Sequence, residues 1–192
     1  MLADLSASLE GEDVAAMTAF FSTEPGASLI AREIETRAAL SDDEAEADAR
    51  EDAAVAMAAE SPRVEILRRY VDALDLVEFN VVGALNSNLA YVGALMDGGA
   101  LRPDMTESDV LSDVWAQEAQ IRADTTEWVY SFLLRAYDDA SDADLEALIA
   151  FSETEPGQAL NRAVFHAFST RFGEISRHLG LAAARYMTTE EL

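Results

Sequence analysis

The chain has no cysteine and no lysine. Without thiols it can form no disulfide, no thiolate metal site and no cysteine nucleophile, although this alone does not reveal the compartment. All 13 basic residues are arginine, set against 37 acids, so the formal charge is −24. A surface of that sign repels nucleic-acid phosphates and anionic headgroups, which argues against both partners. There is no glycine-rich phosphate loop, no dinucleotide fingerprint and no Gly-x-Ser-x-Gly elbow. Only two histidines occur, His166 and His178. Twelve residues apart on one helix, they point roughly 120° apart, so one metal ion does not easily take both. Acid clusters such as Asp42-Asp43-Glu44-Glu46-Asp48 lack the regular spacing and the glycine of a calcium loop. The expectation is no catalytic residue, no metal and no cofactor.

The longest apolar run, Val77 to Met96, is about the length of a membrane span. It contains Glu78, Asn80, Asn86 and Asn88, which are costly in lipid, so it reads as a buried helix and no membrane insertion is expected. Met1-Leu2-Ala3-Asp4 has neither the basic start nor the apolar run of a signal peptide. A periplasmic location would mean that the signal has been removed from this numbering.

Half of the residues are apolar, enough for a packed interior. Apolar residues recur at spacings of three and four, and strand alternation is almost absent. Glu12 to Phe21 is the first clear helix and Pro25 to Leu40 the second. Ser41-Asp42-Asp43-Glu44 has the form of a capping box for an alanine- and acid-rich helix to about Ala59, expected on the surface. Ser61-Pro62 starts a helix that continues through Val81, Leu85, Leu89 and Met96, with a kink expected near Asp75. Gly98-Gly99 ends it, and Gly98 reads as an open loop position. Thr106 and Asp109 start a region carrying Trp115, Ile121, Trp128 and Phe132. Ser141 and Asp144 cap the next helix. The last helix carries Leu160, Val164, Phe168, Phe172, Ile175 and Leu179, expected to face a core, with Gly173 and Gly180 as its weak points. The reading is one all-α domain over 1–192, a bundle of about eight helices.

Thr23-Glu24-Pro25-Gly26 recurs as Thr154-Glu155-Pro156-Gly157, and Asp13, Ala16, Phe20 and Leu29 recur at the same offset as Asp144, Ala147, Phe151 and Leu160. Such repetition marks a duplicated αα-hairpin, one copy over about 8–40 and the other over about 141–187, with central helices over about 61–137. In each turn the threonine should cap a helix, the glutamate should favour its dipole, the proline should sit where an amide is unpaired, and the glycine should leave room for Phe20 or Phe151. These eight residues are expected to be a structural turn motif.

Both turns resemble the signature of the domain of unknown function 2059 family, an acidic, leucine-bearing helix ending in Phe-Tyr and followed by Ser-Pro-any-Gly. Ser141 to Leu160 matches better. Threonine replaces the cap serine, the proline stands one place later, and the lysine that often follows the glycine is absent. The likeness covers about 20 residues in each copy. It implies an all-helical bacterial protein, usually exported to the periplasm, and implies no activity.

Two further stretches stand out. Asn80, Asn86, Asn88 and Tyr91 interrupt an apolar, small-residue helix, and buried amides demand partners. They serve close helix packing or line a pocket for a small ligand. At the N-terminus, Leu5, Leu9, Met17 and Phe21 form an apolar face with no lead helix to cover it, so a homodimer or an unknown protein partner is expected there. The function expected is a non-enzymatic structural or interaction domain, exported, with a small-ligand carrier near Asn86 and Tyr91 as the alternative.

Overall fold

The computed structural model describes residues 1–190, and every regular element among them is an α-helix. There are ten: α1 (Leu2–Ser8), α2 (Val14–Phe21), α3 (Gly26–Ala39), α4 (Asp43–Ala58), α5 (Pro62–Ala73), α6 (Leu76–Asp97), α7 (Glu107–Trp115), α8 (Glu118–Ala136), α9 (Asp142–Ser152) and α10 (Glu155–Glu190). The count exceeds the expected figure of about eight: α1 is a separate short helix, and two long patterns are broken, one of them where a kink was expected. One break lies at Asp75, whose φ of 49° cannot continue a helix. The other lies at Ala116-Gln117.

Most helix starts follow local side-chain chemistry. Asp13 accepts the Ala16 amide, Ser61 the Val64 amide and Ser141 the Asp144 amide. Thr106 and Asp109 form a reciprocal capping box. The box expected at Ser41 does not form. The Ser41 hydroxyl donates back to the Ala38 carbonyl at the end of α3, and the extended Asp42 caps α4 through the Ala45 amide.

The chain divides into two compact units, each assembled from segments distant in sequence. One comprises Leu9–Val77 and Ala123–Arg162. Here α5 packs on α9, and α3 on both α2 and α9, around Leu29, Val64, Leu67, Val71, Phe132, Leu133, Tyr137, Leu145 and Leu148. Arg69 of α5 grips both carboxylate oxygens of Glu146 of α9, at 2.6 and 2.8 Å. The chain leaves α5 with unpaired carbonyls, and α10 supplies their donors. Gln158 Nε2 donates to Ala73 O at 2.6 Å and Asn161 Nδ2 to Leu74 O at 2.8 Å. On α4, Ala49 and Ala53 are buried while most of its other residues are exposed or half-buried, and Arg50 bonds Glu46 and Glu127.

The two Thr-Glu-Pro-Gly segments both lie in this unit, and the Phe20 and Phe151 rings stack at 4.2 Å and 4°. A Cβ on Gly26 would stand 2.3 Å from the Phe20 carbonyl oxygen, and one on Gly157 2.2 Å from that of Phe151. The glycines therefore make room chiefly for a backbone carbonyl rather than for a ring. The turns differ in their caps. Thr154 Oγ1 accepts the Gly157 amide, as its position suggests. Thr23 Oγ1 instead donates to Ala19 O, because α3 begins only at Gly26, beyond its reach. Glu24 thus precedes the first turn of α3 that it was expected to occupy.

The other unit comprises Met1–Ser8, Glu78–Arg122 and the chain from Ala163 on. Its interior holds Val81, Leu85, Ala94 and Leu95 of α6, Val110 and Val114 of α7, and Ala163, Ala167 and Ala184 of α10. Phe79 stacks on Phe165 at 5.0 Å, and Arg177 pairs with Asp97 at 2.8 Å. Gly98 is not the open position expected. A Cβ there would stand 2.3 Å from the Ala184 Cβ, whereas Gly99 carries the positive φ of 73° and faces open space.

Candidate interaction surface

Within the second-described unit, α10 carries small residues on one face and large apolar residues on another. The small face is the buried one: Ala163, Ala167, Gly180 and Ala184. The reason is how near α6 comes. A Cβ on Gly180 would lie 2.4 Å from the Tyr91 carbonyl oxygen and 2.8 Å from the Ala94 Cβ. Only small residues fit that approach, so the large ones are turned away. Phe168 is 43% exposed, Phe172 54%, Ile175 52% and Leu179 60%. This reverses the expectation that this run faces a core. Leu160 and Val164, at its start, are half-buried. Farther along, Tyr186 and Met187 are exposed as well.

The exposed residues follow a strict order. Phe168, Phe172, Ile175, Leu179, Ala182 and Tyr186 succeed one another at alternating steps of four and three, the seven-residue repeat of a helix-pairing seam. The charge along the seam is also unlike the rest of the chain. Between Arg162 and Thr189 the only acid is Glu174, beside Arg171, Arg177 and Arg185. Glu174 is itself paired with Arg171 at 2.8 Å. On α1, the Asp4 carboxyl is held below its ordinary value first by the Met1 amino group and, more weakly, by Arg171.

The other candidate residues lie elsewhere. In this same unit Asn86 is exposed, and Asn80, Asn88 and Tyr91 are half-buried. Asn88 Nδ2 donates to Gln117 Oε1 at 3.4 Å, and Tyr91 offers its backbone to Gly180. The four do not converge on one enclosed pocket. The neighbouring depression, about 350 Å³ and open, is lined by Leu89, Gly93, Met96, Val110, Leu111 and Arg177 among others. His166 and His178 are both exposed on α10. Leu5 and Leu9 are half-buried. Met17 is buried, and Phe21 sits edge-on to Phe20 and Phe151 at 5.0 and 5.4 Å. The chain itself covers Met17 and partly covers Leu5, Leu9 and Phe21.

In the other unit the spacing gave no hint of a polar cluster in which half-buried Glu33 and Tyr70 meet the buried Tyr137. Glu33 of α3 accepts a hydrogen bond from the Tyr137 hydroxyl, and the Tyr137 side chain is wholly buried. Tyr70 of α5 lies edge-on to the Tyr137 ring at 6.3 Å. Arg37, one turn along α3, lies over the rings of Trp128 and Phe132, 5.7 and 4.8 Å from their centroids. Burial raises the Glu33 pKa, against the opposing pull of the Tyr137 hydroxyl and the Arg37 charge. Burial likewise raises Tyr70 and Tyr137, with the Glu33 charge adding to both. Neither residue type nor spacing could reveal the cluster, since its members come from three segments far apart in sequence.

Glu33 has a consequence for stability against pH. Its raised pKa means that the fold disfavours the charged form, so its contribution is greatest below the ordinary carboxyl range, roughly pH 4, and is lost as pH rises through the raised value. Glu33→Gln should therefore melt at a higher temperature than the wild type at pH 7. The gap should close as pH falls through that raised value. Because wild type and variant share all other acids, their difference isolates Glu33. A variant less stable than wild type at neutral pH would show that the charged form is the favoured one.

No protein-family model, no curated protein and no solved structure matches this chain.

Proposed function

We propose that this protein is a non-enzymatic structural or protein-interaction domain whose binding face is the seam of α10. The observation that carries this reading is the line from Phe168 to Tyr186, large apolar side chains left about half exposed on one helix. Scattered apolar residues on a surface need no explanation, but a contiguous row flanked by polar residues marks an interaction site. The likeness to the domain of unknown function 2059 family, and with it an exported, periplasmic setting and a duplicated hairpin, belongs to the same proposal. It rests on the paired Thr-Glu-Pro-Gly turns and is supported by the stacking of Phe20 on Phe151. A small-ligand carrier has weaker support, since Asn86 is exposed and the nearby depression is open.

A photoreactive phenylalanine analogue tests the interaction reading in the cells that make the protein. Placed at Phe172, it should yield a discrete cross-linked species on irradiation. Placed at Val55, an exposed apolar position on α4, it should yield none. No adduct at Phe172, or the same adducts at both positions, would remove α10 as the binding face.

A further inference from the structure

We infer that the seam of α10 is covered by the same seam of a second copy, in a parallel, in-register two-helix pairing; this rests on the interaction reading above. The first support is the repeat itself. Steps of four and three keep one line of side chains facing a partner only if the partner carries the same seven-residue period. A second copy of this chain supplies that period by construction.

The second support is size. Five large side chains of the seam, Phe168, Phe172, Ile175, Leu179 and Tyr186, are each about half exposed. At 150–250 Å² for an aromatic side chain, they offer roughly 500 Å² per copy before any flanking residue is counted. That is more than half of the ~800 Å² that each partner buries in a stable complex.

The third support is the flanking chemistry, which also sets the direction. With Phe172, Leu179 and Tyr186 in one core row and Phe168, Ile175 and Ala182 in the other, one flank reads Arg171, His178, Arg185 and the opposite flank Ser169, Ser176, Ala183. In a parallel pair each flank meets the opposite flank of its partner, so Arg171 faces Ser176 and His178 faces Ala183. In an antiparallel pair like flanks meet, and Arg171 would face Arg185. Glu174 answers Arg171 within its own chain, but Arg171, His178 and Arg185 bring no acid to one another, so parallel pairing is favoured. The pairing has a corollary in salt. It brings together two chains of charge −24. Salt screens that repulsion and should tighten the dimer, whereas an acidic partner docked on the arginine flank would be weakened.

Sedimentation velocity over a concentration series reads the association directly. The wild type should form dimers, more tightly at 0.5 M than at 0.1 M salt. Leu179→Asp, an exposed change that leaves the buried face of α10 untouched, should be monomeric. Ala182→Leu, which adds an apolar group to the seam, should tighten the dimer roughly tenfold. Because the chain has no cysteine, Tyr186→Cys introduces a single thiol near one end of the seam. In a parallel pair it should oxidise to a disulfide-linked dimer, while Ala54→Cys, on exposed α4, should not. A protein monomeric at every concentration and salt overturns the pairing. So does a dimer indifferent to Leu179→Asp, or one that Tyr186→Cys does not cross-link. If the protein is monomeric but the Phe172 cross-linker captures a different protein, the second-copy inference fails and the interaction reading stands. If it captures nothing, both fail.

Discussion

Tyr137→Ala should destabilise its unit by about 3–5 kcal/mol, the largest single loss expected in this chain. Tyr137 is wholly inaccessible and is the largest of the fully buried side chains. It belongs to the core cluster with Leu67, Val71, Leu133, Leu145 and Leu148. Removing the ring opens a cavity bounded by helices that close only partly. It also takes the hydroxyl from Glu33. Tyr137→Phe separates the two effects, because the ring remains and only the donor goes. Its loss should be smaller, about 0.5–1.5 kcal/mol, the net worth of one hydrogen bond to the half-buried Glu33. That loss should shrink at acid pH, where Glu33 is neutral. Denaturant unfolding of the two variants measures both. If Tyr137→Phe costs as much as Tyr137→Ala, the hydrogen bond and not the packing dominates, and the account of this core is wrong.

Gly157→Ala and Gly173→Ala should move stability in opposite directions, though both lie in α10 and both add one methyl. At Gly157 the new Cβ would stand 2.2 Å from the Phe151 carbonyl oxygen and 2.9 Å from the Ser152 Cα. Those atoms are backbone at the end of α9 and cannot swing aside. The helices must separate, at a cost of about 1–3 kcal/mol or more. At Gly173 nothing lies within 4 Å of the same atom. There the methyl removes the entropic penalty of a glycine within a helix, a gain of about 0.5–1 kcal/mol. Gly26→Ala should behave like Gly157→Ala, since its Cβ would meet the Phe20 carbonyl oxygen at 2.3 Å. Thermal melts of the three variants decide the matter, and a Gly157→Ala protein as stable as the wild type would mean that the repeated turn is not closely packed.

Much of the fold was legible because it is local. Ser61-Pro62, Thr106 with Asp109 and Ser141 with Asp144 declare helix starts through contacts three residues apart, and each forms. Asp75 marks the break between α5 and α6, since the chain must turn where its backbone enters the left-handed region. Repetition of Thr-Glu-Pro-Gly marks two places where one helix gives way to the next, but not that Thr154 caps its helix and Thr23 does not. Where two local caps compete within a residue or two, as at Ser41 and Asp42, the pattern does not say which wins.

Tertiary structure decided which face of each helix is inside. On α10, period and hydrophobicity favour burying Phe168, Phe172, Ile175 and Leu179, and that reading fails. The carbonyl of Tyr91 lies too near Gly180 for any large residue to fit between the helices, so close backbone approach selects the small face for the interior and leaves the apolar seam outside. The meeting of Glu33, Tyr70 and Tyr137 is of the same kind. Helix formation depends on neighbours three and four residues away, which a sequence displays. Burial depends on which distant segment arrives at a face and how near its backbone comes, and no local pattern records that distance.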